Sequence, residues 1–154
     1  MVKESSPTAT ARALMRSRDR AVLCTALAHG GAPYGSLVAV AADEDGAPLL
    51  YLSDLAEHSK NIARDGRAAL VFTMPENEAD PLDQPRVTVL GQILRDEDES
   101  RLRRYVARHP AAEQYRAFRD FHLYRMAVER AHLVAGFGVI RWLDAASVLG
   151  PDKS

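Results

Sequence analysis

Three short apolar runs fill the first third of the chain: residues 21–27 (AVLCTAL), 34–41 (YGSLVAVA) and 48–52 (PLLYL). The turns His29-Gly30-Gly31 and Asp43-Glu44-Asp45-Gly46 separate them. Runs this brief are marginal as helices, and glycine-bearing turns let the chain reverse, so the pattern predicts an antiparallel meander. Strands return at 67–73 (RAALVFT) and most clearly at 86–94 (RVTVLGQIL). From Leu123, Tyr124, Met126 and Val128 alternate with polar residues, and the apolar parity then shifts to Ala131 and Leu133. That shift predicts a β-bulge near residues 129–131. Gly136-Phe137-Gly138 reads as a kink, and residues 139–143 as a last short strand.

Helical spacing appears in between. Ala11, Leu14 and Met15 form a stripe that Thr8 or Thr10 could cap. Leu55, His58, Ser59, Ile62 and Ala63 form a second stripe within residues 53–65, with Asp54 and Glu57 as a capping pair and Gly66 as the stop. Acids at 96–99 followed by Arg101, Arg103, Arg104 and Arg108 suit a helix dipole, with Leu102, Tyr105 and Val106 inward and the arginines on a solvated face. A second short helix is expected over 111–118. Pro75, Pro81 and Pro85 make residues 75–85 a loop. The fold class is therefore mainly β (α+β): six or seven antiparallel strands in a small closed or split barrel with flanking helices. At 154 residues one domain is expected, spanning 10–148 between an N-terminal arm (1–9) and a C-terminal tail (149–154).

Several functions are disfavoured at once. A net charge of −1 argues against a surface made to wrap nucleic acid or coat an anionic membrane. Cys24 is the only cysteine, so intrachain disulfides and cysteine-based zinc sites are excluded, and its apolar strand suggests a buried, inert thiol. His29, His58, His109, His122 and His132 include no pair at metal-ligand spacing on one helix, so no metal site is expected. Nucleophile-elbow, dinucleotide-binding and P-loop glycine motifs are absent. No apolar run approaches a membrane span, and the polar first twenty residues contain no apolar signal core, so the expected address is the cytoplasm.

Chemistry concentrates in Ser53-Asp54-Leu55-Ala56-Glu57-His58-Ser59-Lys60-Asn61. Two hydroxyls and Lys60, the one lysine outside the probable tails (the others are Lys3 and Lys153), fall where a strand passes into a helix. Free N–H groups and a positive dipole end suit a phosphate there, given help from Arg67 or Arg86 against Asp54 and Glu57. An ordinary amphipathic helix, with Ser59 bonded back to the preceding turn and Lys60 solvated, fits the same residues. Tyr105, Tyr115, Phe118, Phe121 and Tyr124 could wall a cofactor, or simply fill a core or interface.

The runs 33–40 (PYGSLVAV), 46–62 (GAPLLYLSDLAEHSKNI) and 65–72 (DGRAALVF) resemble the FMN-binding split-barrel family of pyridoxamine 5′-phosphate oxidase. Residues 80–82 and 85–91 (DPL, PRVTVLG), 104–112 (RYVARHPAA), 118–125 (FRDFHLYR) and 132–140 (HLVAGFGVI) resemble its haem-utilisation, HugZ-type branch. The resemblance covers roughly residues 10–148 and implies a homodimer with FMN in clefts along the dimer interface. It would lay Gly35, Ser36, Leu37 and Val38 along the flavin through backbone groups. Ser53, Ser59 and Lys60 would hold the phosphate, with His58 beside them, and Arg86 would reach in from the opposite subunit. The oxidases proper have an arginine near Ser36 and a C-terminal Arg-x-His, where this chain has Ser36 and, after Trp142, Leu143-Asp144-Ala145. The haem-degrading members take an axial histidine from a C-terminal loop, whereas no histidine follows His132 here. His58 is the substitute the sequence offers. The sequence-level expectation is an FMN-dependent oxidoreductase of unknown substrate, with no catalytic residue assigned. A haem-binding or haem-degrading protein and a cofactor-free dimeric binding module are the alternatives.

Overall fold

The computed structural model describes residues 6–136 and 138–151. Residues 1–5, 152–154 and Phe137, and with them the outer parts of the expected arm and tail and the centre of the expected kink, lie outside the described residues. The alternating runs become β1 (Arg20–Ala26), β2 (Pro33–Ala39), β3 (Ala41–Ala42), β4 (Pro48–Ser53), β5 (Arg67–Thr73), β6 (Arg86–Arg95), β7 (Phe121–Val134) and β8 (Ile140–Asp144). All pairings are antiparallel, in the order β2-β1-β5-β6-β7-β4-β3, with β8 on the C-terminal half of β7. The two ends of that order, β2 and β3, are joined through Val40 alone. The single run expected over 34–41 is thus divided, because its first part pairs with β1 and its last residues with β4. This hand-over curls the sheet into a half-barrel of the split-barrel type. It also makes eight strands of the expected six or seven.

The parity shift in β7 has its expected cause. Leu90 faces Arg130 whereas Gly91 faces Val128, which leaves Glu129 as the extra residue of a bulge. Inside the curl lie Leu23, Leu50, Leu70, Phe72, Val87, Val89, Met126 and Leu133, closed at one end by Ala11, Leu14 and Met15 of α1 (Pro7–Ser17). Ser6, whose hydroxyl accepts from the Ala9 N–H at 3.1 Å, caps α1. The helix therefore begins before Thr8 and takes residues 7–9 from the expected arm. Arg12 donates to the Leu149 and Pro151 carbonyls, each at 2.8 Å, so the start of the expected tail is held against α1.

A second cluster, Leu49, Tyr105, Ala112 and Leu123, lies under α3 (Glu99–Arg108). Asp98 caps α3 through the Ser100 and Arg101 N–H groups. The arginines of α3 are not all on a solvated face. Arg101 bridges the buried Asp43 (2.8 Å) and Asp96 (2.9 Å), and Arg104 and Arg108 donate to the Ala42 and Ser17 carbonyls. Pro110–Tyr115 forms a 3-10 turn where a short helix was expected, since Pro110 lacks the N–H that would continue α3. The described residues end in α4 (Ala145–Val148) and a short stretch after it.

Candidate functional site

Ser53 ends β4 opposite Phe121 of β7, and from there the chain turns through residues 54–56 into α2 (Glu57–Arg64). The helix starts later than the sequence suggests, and Asp54 and Glu57 do not cap it: its N-cap is Ala56, which has no side chain to accept a bond. Asp54 is drawn away by His122, whose Nε2 lies 2.9 Å from the Asp54 carboxylate. Ser53 is also engaged. Its hydroxyl donates to the Asp120 carboxylate at 2.7 Å and accepts from the Leu55 N–H at 3.1 Å. With the turn unwound, Leu55 leaves the expected inner stripe and is 78% exposed. The Glu57 and His58 N–H groups, which head a helix without a side-chain cap, have no protein acceptor among the described residues.

Asn61 fixes α2 to the sheet. It is fully buried, donates through Nδ2 to Thr25 Oγ1 (3.1 Å) and accepts on Oδ1 from the Ala28 N–H (2.9 Å). Asn61, Asp120 and His122 are the positioning residues that sequence reasoning missed. Asn61 fell off the apolar stripe, and the other two act across about seventy residues of sequence. One signal was available, since Asn61 closes the same S-K-N string that drew attention to Ser59 and Lys60.

Around this anchor, four of the nine expected site residues come together. Ser36 Oγ and His58 Nδ1 are 3.2 Å apart, which joins β2 to the first turn of α2. Burial lowers the His58 pKa from its ordinary value, because the half-buried imidazolium loses hydration, so the neutral ring is favoured. Ser59 is 4% exposed and its hydroxyl has no hydrogen-bond partner among the described residues; the back-bond to the preceding turn is not made. Lys60, next to it, is exposed and makes no ion pair among the described residues. Gly35, Leu37 and Val38 share β2 with Ser36. That strand is one end of the sheet order, and Leu37 is 71% exposed on it.

Arg86 is not at this corner. It opens β6 opposite Thr73 and donates to the Leu82 carbonyl at 3.1 Å. Thr73 is the far end of β5, whose near end, Arg67, follows α2. Six residues of extended chain separate those ends by about 20 Å. Arg67, the other candidate helper, is paired with Asp65 at 2.8 Å.

The aromatic side chains divide. Tyr51, Tyr105, Tyr115, Phe118 and Phe121 form a chain of ring contacts beneath α3, the closest being Tyr115 stacked on Phe121 with centroids 4.8 Å apart. Tyr124 is instead part of the main core. Cys24 is only partly buried, on the outer face of β1. No group of three or more metal-ligating side chains is gathered among the described residues, and no described helix is long and apolar enough to cross a membrane.

Residues 3–148 match the CREG, beta-barrel family. A heme binding protein from Mycobacterium smegmatis superimposes with a TM-score of 0.87 at 31% identity, covering 96% of this chain and 61% of that one. The chloroplastic non-canonical heme oxygenase HOZ of Arabidopsis thaliana is 32% identical over 113 residues, which is 70% of this chain and 33% of that protein. The chain thus spans about a third of the length of that curated relative. Campylobacter jejuni ChuZ (18% identity, TM-score 0.79, all of this chain and 68% of that one) and a Listeria innocua putative pyridoxamine 5′-phosphate oxidase (12%, 0.61, 84% and 98%) share the fold.

Proposed function

The chain belongs to the CREG β-barrel family, and from that premise we propose that it is a haem-binding protein of the haem-utilisation type, with the α2–β2 corner as its site. One observation carries the reading: a half-buried imidazole, held to Ser36 at 3.2 Å, lies in the first turn of a helix that also carries an unpaired cation, Lys60, and two unengaged backbone donors. Haem is a flat apolar ring with two carboxylate arms, and that donor set complements it. The haem-related relatives at 31% and 32% identity support this ligand over others. Lys60 and the Glu57 and His58 N–H groups would receive a propionate, and Leu37 with the β2 backbone would line the ring edge. Haem supplies the redox-active iron; the chain binds, orients and shields it.

A homodimer is part of the proposal. Across the outer face of the sheet Leu37, Val22 and Val71 lie in register, followed by Thr88, His132 and Trp142, and Leu37 and Trp142 remain 71% and 57% exposed. A second copy on this face would cover the apolar row and bring its Arg86 towards α2. Haem titration followed at the Soret band, with native mass spectrometry of the product, tests both points. Expected are a saturable band at one haem per chain and a mass of two chains. A haem spectrum unchanged by added protein would refute the reading. Lys60→Ala should weaken uptake by no more than about fivefold, because a solvent-exposed charge pair is worth under about 1 kcal/mol.

FMN is the second reading, favoured by the buried Ser59 hydroxyl, which lacks a partner at an uncapped helix start and suits a phosphate oxygen. Quenching of flavin fluorescence on titration would favour it, with an oxidoreductase role to follow. Colourless protein that takes up neither ligand would favour the cofactor-free binding module.

A further inference from the structure

We infer that His58 ligates the haem iron through Nε2 and that Ser36 is the positioning residue which fixes the imidazole for that task; the inference rests on the haem reading above. A histidine that binds a metal through one ring nitrogen usually has the other held by a hydrogen bond, which sets tautomer and ring angle. His58 has this arrangement in a half-buried place. With its proton on Nδ1, it donates to Ser36 Oγ at 3.2 Å, and Nε2 presents a lone pair with no partner among the described residues. The helix beneath is rigid, since Asn61, one turn further on, is bonded to Thr25 and the Ala28 N–H.

The other four histidines lack the combination. His122 has both ring nitrogens engaged, by Asp54 and by Arg95. His109 directs Nε2 at the Val40 carbonyl (2.7 Å) and lies against Tyr105, with ring centroids 4.9 Å apart. His132 packs on Trp142 at 4.6 Å, with no hydrogen bond to orient it among the described residues. His29 is exposed in the β1–β2 turn, also without an orienting bond. Only His58 joins an anchored nitrogen, a free Nε2 and partial burial, on the helix that also carries the unpaired Lys60.

The test compares haem-loaded wild type with His58→Ala, His58→Gln, Ser36→Ala, Ser36→Thr, His29→Ala and His132→Ala, with circular dichroism to confirm folding. The wild type should show an iron–histidine stretch in the ferrous resonance Raman spectrum. Both His58 variants should lose it and shift the Soret band, and added imidazole should restore the band in His58→Ala. Ser36→Ala should keep the ligand but lower the stretching frequency and weaken haem binding by about 10-fold or more, with Ser36→Thr recovering both. An unchanged stretch in folded His58→Ala, or its loss in His29→Ala or His132→Ala, overturns the assignment while leaving haem binding intact. Failure of the wild type to take up haem overturns the underlying reading and this assignment with it.

Discussion

Replacing Ser59 by alanine should stabilise the ligand-free protein. Its hydroxyl is enclosed, with the residue 4% exposed, and it has no hydrogen-bond partner among the described residues. Leaving a buried polar group unsatisfied costs about 1–3 kcal/mol, and alanine adds about 0.5 kcal/mol of helix propensity over serine. The small void left by one oxygen offsets part of this, so a gain of about 1–2 kcal/mol is expected. For a domain of this length that corresponds to an increase in Tm of about 2–8 °C. Differential scanning calorimetry and urea titration of both proteins without ligand measure it directly. Saturating ligand raises the stability of each according to its own affinity. If a phosphate or propionate oxygen engages Ser59, the wild type gains more on loading and the difference narrows or reverses. A variant that melts below the wild type without ligand would refute the reasoning, because the hydroxyl must then have a partner, as in the back-bonded alternative.

Gly91→Ala should destabilise by about 3 kcal/mol or more, because a Cβ there would run into the backbone carbonyl oxygen of Ala127, with Met126 Cγ at 3.0 Å, beside the β7 bulge. Gly35→Ala, with only Val22 Cγ1 at 3.6 Å, should cost less; equal urea midpoints for the two variants would contradict this. Burial raises the Tyr105 phenol to about 12, with Tyr51 adding to the effect. Its folded-state pKa is above the unfolded value near 10, so its contribution to stability is complete below pH 10 and lost as pH rises towards 12. Burial raises Tyr51 and Tyr124 as well, so phenolate absorbance should show one tyrosine fewer ionising at the top of that window in Tyr105→Phe than in the wild type.

Most of the sheet was legible because one face of each strand must be buried, and alternation records which one. Even the bulge at Glu129 was legible, since an extra residue reverses the alternation from Met126 and Val128 to Ala131 and Leu133. Two features were not. Val40 joins the two ends of the sheet, and nothing in the apolar run 34–41 marks where pairing with β1 gives way to pairing with β4. The start of α2 was misplaced for a similar reason. Asp54 has the right spacing to Glu57 for a cap, but its carboxylate is taken by His122, a contact that exists only once β4 and β7 pair. Local rules therefore found the corner, and a long-range contact decided which of its N–H groups stay unengaged. Ser36 carried the least sequence signal; its meeting with His58 depends on β2 being brought against α2.

The distance to Arg86 has a consequence for assembly. Lys60 lies on α2, the helix that leads into the Arg67 end of β5, whereas Arg86 opens β6 opposite Thr73, the other end of that strand. If the two serve one ligand across a dimer, two copies supply them, and symmetry then generates two equivalent sites per dimer. Lys60→Ala and Arg86→Ala would each weaken both sites of their own dimer. In a mixed dimer, however, one site collects both substitutions and the other collects neither. Random subunit exchange makes about half of the dimers mixed, so about a quarter of all sites should regain wild-type affinity. Haem titration of the two variants separately and after exchange measures that fraction. A mixture that behaves as the average of its components would show that Lys60 and Arg86 do not meet across the dimer.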